Sequence, residues 1–226
     1  MNLDEPIATG RDADIFDAGP GRVLRRNRHD HSQALEARVM KYVVDQGYPA
    51  PAVYDLSDDG RDLVMERVDG PTMLDDLGDH PWRMVGHAHT MADLHTRLGQ
   101  IPAPDWLRAG PVPGDRVVHL DLHPNNIILT AGGPVVIDWT NACAGTPGSD
   151  VALTWLLTSC GEIPGPRWQV AILGAFRRLL VNSFLRRAGR AAAVQDLAAV
   201  AQWKVADKNM RPGEIAAMRK LVEKNR

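Results

Sequence analysis

The sequence predicts an α+β fold of two lobes, a small β-rich N-terminal lobe and a larger, mostly helical C-terminal lobe. Three observations predict it. Short β-like runs crowd the first seventy residues, the pattern changes at Asp69-Gly70-Pro71, and helical periodicity is sustained from Asp150 to the end. At 226 residues the chain is long enough for one large domain or two lobes with a substantial core.

The elements follow in order. "PIATG", "ADIFDAG" and "RVLRRN" read as brief strands, punctuated by Gly10 and by the turn "GPGR" at Gly19 to Arg22. A helix comes next, with Asp30 or Ser32 as its cap and Leu35, Val39 and Val43 at helical spacing. Gly47 stops it, and Pro49 and Pro51 prevent its resumption. "AVYDLSDDGRDLVMERV" is a hairpin turning at "DDG". Beyond the junction, Met84, Ala88, Met91, His95 and Leu98 mark one face of a long helix. "RVVHL", "IILT" and "VVIDW" are three further strand-like runs, the last two joined by "GGP". The helical remainder breaks at Pro164-Gly165-Pro166 and at Pro212-Gly213.

Composition narrows the function classes. Hydrophobic content of 44% and charged content of 24% are those of an ordinary globular chain. The first twenty residues carry Asp4, Glu5, Arg11, Asp12 and Asp14, so no secretory apolar core is present, and no run approaches the ~18 apolar residues of a membrane span. Cys143 and Cys160 make neither a disulfide framework nor a zinc spacing. A cytoplasmic protein without a membrane or nucleic-acid partner is expected. The net charge of −2 conceals an asymmetry: residues 1–164 hold 13 Lys/Arg against 24 Asp/Glu, and residues 165–226 hold 13 against 4. That basic segment reads as a solvated helical face or as an anion-attracting surface.

The chemistry concentrates in "VVHLDLHPNNIIL", Val117 to Leu129. Asp121 and Asn126 stand five apart in the order H-x-D-L-x-x-x-N, and Asp138 follows twelve residues later at the end of "PVVID". A catalytic-loop aspartate, an asparagine five later and a further aspartate after a strand form the protein-kinase signature. Phosphoryl transfer requires this set. Divalent cations neutralise phosphate charge, oxygen ligands suit Mg²⁺, and a carboxylate orients the acceptor hydroxyl and takes its proton. No G-x-x-x-x-G-K-[ST] loop is present, which removes the P-loop ATPases.

"HLDLHPNNIIL" followed by "VVIDWTNA" resembles the aminoglycoside phosphotransferase-like family of small-molecule kinases. That family's loop runs H-G-D-L-H-P-x-N, and its metal aspartate sits in I-D-W or I-D-F. The resemblance covers at least residues 7–160 and is strongest over 117–139. It implies a protein-kinase-like bilobal fold, with residues 1–68 as the nucleotide-binding lobe (a sheet plus one helix) and 69–226 as the helical lobe carrying the catalytic loop and substrate region. It implies ATP, with GTP as the alternative, together with Mg²⁺ and a small hydroxyl-bearing substrate. By the same resemblance Asp121 is the catalytic base, Asn126 and Asp138 hold the metal, and His123 and Pro124 shape the loop. Asp150 in "GTPGSDVALTW" resembles the family's buried aspartate beneath the catalytic loop; the plainer reading is a helix N-cap.

The chain departs from the pattern in its N-terminal lobe. Kinases grip the α/β-phosphates with a lysine on the third strand, paired to a glutamate of the next helix. Here "GRVLRR" holds no lysine. Strand alternation puts Val23 and Arg25 on one face, so Val23 is assigned to the adenine pocket, Arg25 to the phosphates and Glu36 to the role of its partner. Gly10 alone stands for the glycine-rich loop. "LVMERVDGPT" resembles a kinase hinge, whose backbone at Glu66 and Val68 would bond the adenine. Asp150 follows Asp138 by twelve positions, too short a stretch for a platform that holds a polypeptide.

Two other classes compete with an active kinase. One is a pseudokinase or nucleotide-binding scaffold, suggested by the missing lysine. The other is a metal hydrolase built on His119, Asp121 and His123, with His87 and His89 in reserve. His95 and the methionines at helical spacing read as core, and Trp139 stands out only because it follows Asp138. The basic last 62 residues argue against a polycationic aminoglycoside as preferred acceptor.

Overall fold

The computed structural model describes residues 5–10, 13–28, 31–161, 166–208 and 210–225. In chain order the first part carries β1 (Ala8–Thr9), β2 (Ala13–Asp17), β3 (Arg22–Asn27), α1 (Ala34–Asp45), β4 (Val53–Leu56) and β5 (Asp62–Glu66). Next come α2 (Met73–Asp79), α3 (Met84–Leu98), β6 (Arg116–Val118), β7 (Ile127–Thr130), β8 (Gly133–Val136) and β9 (Cys143–Gly145). Four helices complete the chain: α4 (Pro147–Cys160), α5 (Arg167–Ala188), α6 (Arg190–Val205) and α7 (Pro212–Lys224). The fold is mixed α+β, a small antiparallel sheet region with a larger helical part. Among the described residues no helix is long and apolar enough to cross a membrane.

The residues sort into two compact units, one running to Thr72 and including Ile127–Thr140, the other made of Met73–Asn126 and the chain from Asn141 onward. The first unit is a five-stranded antiparallel sheet in the order β1-β2-β3-β5-β4, with Val23 opposite Met65 and Arg25 opposite Leu63. Val39, Met40 and Val43 on α1, together with Leu24 and Leu63, are buried and form its core. The helix has Gln33 rather than Ser32 as its N-cap, and the Gln33 side chain makes no capping bond; Ser32 Oγ accepts from the Ala34 N–H at 3.2 Å from one residue before the cap, and Asp30 lies outside the described residues. It ends at Gly47, whose φ of +76° is left-handed backbone that glycine adopts without strain.

The β7–β8 hairpin belongs to this unit through its backbone. The Val136 N–H donates to the Pro49 carbonyl at 2.8 Å, and the Leu129 N–H to the Pro71 carbonyl at 2.9 Å. Gly70 makes that approach possible, because a Cβ there would lie 2.2 Å from the Leu129 carbonyl oxygen. The junction glycine in the sequence is therefore a point of close backbone contact.

In the second unit α3 buries Met84, Ala88, Met91, His95 and Leu98, the face its spacing predicts. Helix α4 is buried over most of Gly148 to Leu156, so it serves as the central helix, and α6 packs against it. It starts earlier than Asp150. Thr146 is the cap, accepting from the Ser149 N–H at 3.2 Å, and Pro147 takes the first helical position, where its missing N–H costs nothing. Strand β9 pairs with β6, Val117 opposite Ala144. Pro212 opens α7 as the break at Pro212-Gly213 suggests; of the earlier break, Pro164 and Gly165 lie outside the described residues.

Candidate functional site

The loop from Leu120 to Asn126 is built on three tethers. Leu120 has φ of +53°, a conformation that a γ-branched side chain adopts only under constraint, at a cost of order 1–3 kcal/mol. The constraint is Asp150, whose Oδ1 accepts from the Leu120 N–H at 2.8 Å inside the core. One helical turn on, the Thr154 hydroxyl donates to the Leu122 carbonyl at 2.6 Å. Asn126 closes the loop, its Nδ2 donating to the Asp121 carbonyl at 3.0 Å and lying 3.4 Å from Asp121 Oδ2. The asparagine's position five residues on is thus explained by geometry: its amide spans the loop and leaves Oδ1 as the atom turned away from Asp121. The Asp121 carboxylate is partly exposed, with His123 Nε2 3.5 Å from Oδ1.

Asp150 is therefore not the cap of α4. It is fully buried and shares its second oxygen with His95, whose Nδ1 is 3.3 Å from Oδ2 and whose Nε2 is 3.1 Å from Thr154 Oγ1. Burial pushes its carboxyl up, but the charges of His95 and His119 and the bonds from His95 and the Leu120 N–H bring it below the ordinary aspartate value. His95 is a core histidine, as expected, and one that steadies the loop's anchor.

The second cluster lies in the first unit. Arg25 and Glu36 meet, Nη1 to Oε1 at 2.5 Å, with Glu36 buried and the Arg25 side chain only 15% exposed. Val23 is buried beside them in the strand, whereas Arg26 turns to the other face and is held by both oxygens of Asp62. The Thr140 hydroxyl bridges two carboxylates, 2.9 Å from Asp138 Oδ1 and 3.2 Å from Glu36 Oε2. Burial raises the Glu36 carboxyl, the Arg25 guanidinium opposes this and the Asp138 carboxylate adds to it, so the group ends above its ordinary value. Asp138 is exposed at its carboxylate and has φ of +63°. It follows β8 at the point where the backbone leaves the sheet, and Trp139 behind it is buried with its Nε1–H donating to the Val136 carbonyl at 3.0 Å.

The structure thus brings Asp121 together with Asn126, and Arg25 with Glu36, Thr140 and Asp138. Gly10 sits at the β1–β2 turn, its N–H donating to the Ala13 carbonyl. The Glu66 N–H donates to the Ala52 carbonyl at 2.8 Å and its Oε2 accepts from the Ala52 N–H, so the Glu66 amide hydrogen is already committed within the unit; Val68 is half-buried. Thr140 and the left-handed backbone at Leu120 and Asp138 were missed from sequence. Thr140 had one signal, its place two residues after the metal-type aspartate. The oxygen donors of Asn126 and Asp138 are of the kind Mg²⁺ takes. Among the described residues no group of three or more His, Cys, Asp or Glu side chains is placed to hold a metal; His87 goes instead to Asp76, at 2.6 Å. Burial pushes the Cys143 and Cys160 thiols up to about 12 and about 11, so neither is a nucleophile at neutral pH.

The ion pair in the first unit gives a stability test. Arg25→Met strips the counter-charge from a buried carboxylate and is expected to destabilise by about 2 kcal/mol. Adding Glu36→Gln restores part of the loss, and urea unfolding of both singles and the double measures the coupling.

Comparison with known proteins agrees with the fold. A family model described as the phosphotransferase enzyme family matches residues 76–203. No match was found among curated protein sequences. Among solved structures, an APH(4)-Ia aminoglycoside phosphotransferase mutant in ternary complex with AMP-PNP and hygromycin B aligns with a TM-score of 0.66 at 16% identity, over 98% of this chain and 92% of that one. A gentamicin–APH(2")-IIa complex aligns with a TM-score of 0.62 at 16% identity, over 97% and 88%. A choline/ethanolamine kinase family protein from Mesorhizobium loti aligns with a TM-score of 0.60 at 14% identity, over 98% and 86%.

Proposed function

Since the chain belongs to the phosphotransferase enzyme family, we propose that it moves the γ-phosphoryl group of ATP, or of GTP, to a hydroxyl of a small molecule. The observation that carries this reading is the Leu120–Asn126 loop, where Asp121 is presented on strained backbone anchored by Asp150 and spanned by Asn126. Asp121 accepts the proton of the acceptor hydroxyl. Asn126 Oδ1 and the Asp138 carboxylate are assigned to Mg²⁺, which when bound neutralises phosphate charge. Arg25, oriented by Glu36, contacts phosphate oxygens, and it differs from lysine in keeping a planar fork of donors rather than one point charge. Val23 forms a wall for the adenine, the Glu66 carbonyl and the Val68 backbone bond its edge, and Gly10 turns the strand pair beside the phosphates. Support for the nucleotide comes from the AMP-PNP complex of a protein of the same fold.

The test is ATP consumption with Mg²⁺ across a library of hydroxyl-bearing metabolites and antibiotics. At least one small acceptor is expected to be phosphorylated, and kanamycin is expected to be a poor acceptor, because the last 62 residues carry 13 Lys/Arg against 4 Asp/Glu. Efficient turnover of kanamycin overturns the second expectation. A scaffold that binds nucleotide without turnover is the competing reading, motivated by arginine in the lysine position; it predicts a measurable nucleotide Kd and no product with any acceptor.

A further inference from the structure

Helices α3 and α5 flank an open groove of about 470 Å³ that none of the assignments above uses. Its volume lies within the roughly 300–1,000 Å³ of small-molecule sites. Val85 and His89 line it from α3, and Leu179, Ser183, Arg186 and Arg187 line it from α5. The polar groups here are not all spoken for. Arg187 is held by both oxygens of Asp93, at 2.6 and 2.9 Å. Arg186 donates to the Asn182 carbonyl of its own helix at 3.2 Å and has no carboxylate partner among the described residues. Ser183 is 4% exposed, and its hydroxyl, on the groove wall, has no hydrogen-bond partner among the described residues. An unpaired hydroxyl that opens to the groove, beside a guanidinium without a carboxylate partner, suits an incoming oxyanion.

The same face of α5 continues in a different character. Trp168, Ile172, Phe176 and Leu179 follow one another at spacings of four, four and three, which puts them in one row with Ser183 and Arg186. They are 65%, 49%, 41% and 45% exposed. At 1.5 Å per residue the row from Trp168 to Arg186 is about 27 Å long. A contiguous apolar strip of this kind in water marks a binding surface, and its one polar end is cationic. No acidic residue occurs anywhere in α5, so the helix's own charge disfavours a cationic partner along the row and favours an anionic one.

We infer that this face binds a single-chain anionic amphiphile, an organic phosphate or carboxylate carrying an apolar chain, with the head on Arg186 and Ser183 and the chain along Leu179, Phe176 and Ile172 toward Trp168. The site requires neither Asp121 nor nucleotide, so it stands or falls apart from the phosphotransfer reading. The experiment is calorimetric titration of the full chain with dodecyl phosphate and with dodecanoate, each below its micelle concentration, and with dodecyltrimethylammonium as the cationic control. Saturable binding of one anion per chain is expected, weakened at least about tenfold by Arg186→Glu and by Phe176→Ser. Circular dichroism shows whether each variant keeps its fold, and Ile172→Ser serves if Phe176→Ser does not. Equal binding of the cationic control, or no saturable binding of either anion, overturns the inference. So does cosedimentation with phosphatidylglycerol vesicles without binding of the monomeric anions, which identifies a membrane surface as the occupant. A dimer that Phe176→Ser dissolves, again without anion binding, identifies a second copy and overturns it equally.

Discussion

Asp121→Asn is expected to lower kcat for phosphoryl transfer by about 10²–10⁴-fold, the contribution of a positioned general base. The substitution is close to isosteric, and the loop's main tether survives it, because Asn126 Nδ2 donates to the Asp121 backbone carbonyl at 3.0 Å. What is lost is the acceptor for the hydroxyl proton. Nucleotide affinity, measured by calorimetry without acceptor, is expected to be unchanged, since Arg25, Glu36 and Asp138 are untouched. The comparison is informative in both directions. Turnover that persists in Asp121→Asn assigns the proton to another group, and His123, 3.5 Å away, is then the first to replace. Loss of nucleotide binding along with turnover would instead indicate a damaged loop.

The largest stability effect is expected at Asp150. Asp150→Ala removes an ionised carboxylate from the core, leaves the Leu120 N–H unpaired and abandons His95, and it is expected to cost about 3–5 kcal/mol in urea unfolding at pH 7. Transfer activity falls with it, because nothing then holds Leu120 at φ of +53°. Asp150→Asn keeps an oxygen for the Leu120 amide and loses the charge facing His95, so its loss is smaller. The pH dependence has a definite sign. The folded carboxyl lies below its ordinary value, so its contribution is fully present above about pH 4, the unfolded value, and is lost as the pH falls through the folded one. Wild-type stability is therefore expected to decline below about pH 4 more steeply than that of Asp150→Asn.

Much of the fold could be read from local pattern. Helix α1 was bounded by Val39 and Val43 on one side and Gly47 on the other, α3 by the spacing of Met84 through Leu98, and the β4–β5 hairpin by "DDG". In each case a short window holds both the periodicity and its terminator. Strand β9 was not legible, because three residues show no alternation and depend on pairing with β6, about 27 positions earlier in the chain. The start of α4 was misjudged for a related reason. Asp150 has the composition of a cap, but its carboxylate serves a backbone amide thirty residues away.

The sequence alone supplied the candidate residues for the proposed chemistry, since the spacing of Asp121, Asn126 and Asp138 is a one-dimensional property, as is the absence of a lysine from "RVLRR". Strand alternation also sufficed to separate Arg25 from Arg26. Only the tertiary structure decided what holds those residues in place: left-handed backbone at Leu120 and Asp138, the Asp150 anchor, and the Thr140 bridge between Glu36 and Asp138. The physical reason is that strain and burial are not local. A leucine adopts positive φ only when the surrounding contacts outweigh its cost, and a buried carboxylate is tolerated only where donors from distant segments converge. The groove along α5 belongs to the same category, because an apolar row in a helix normally faces the core, and only the fold shows that this one does not.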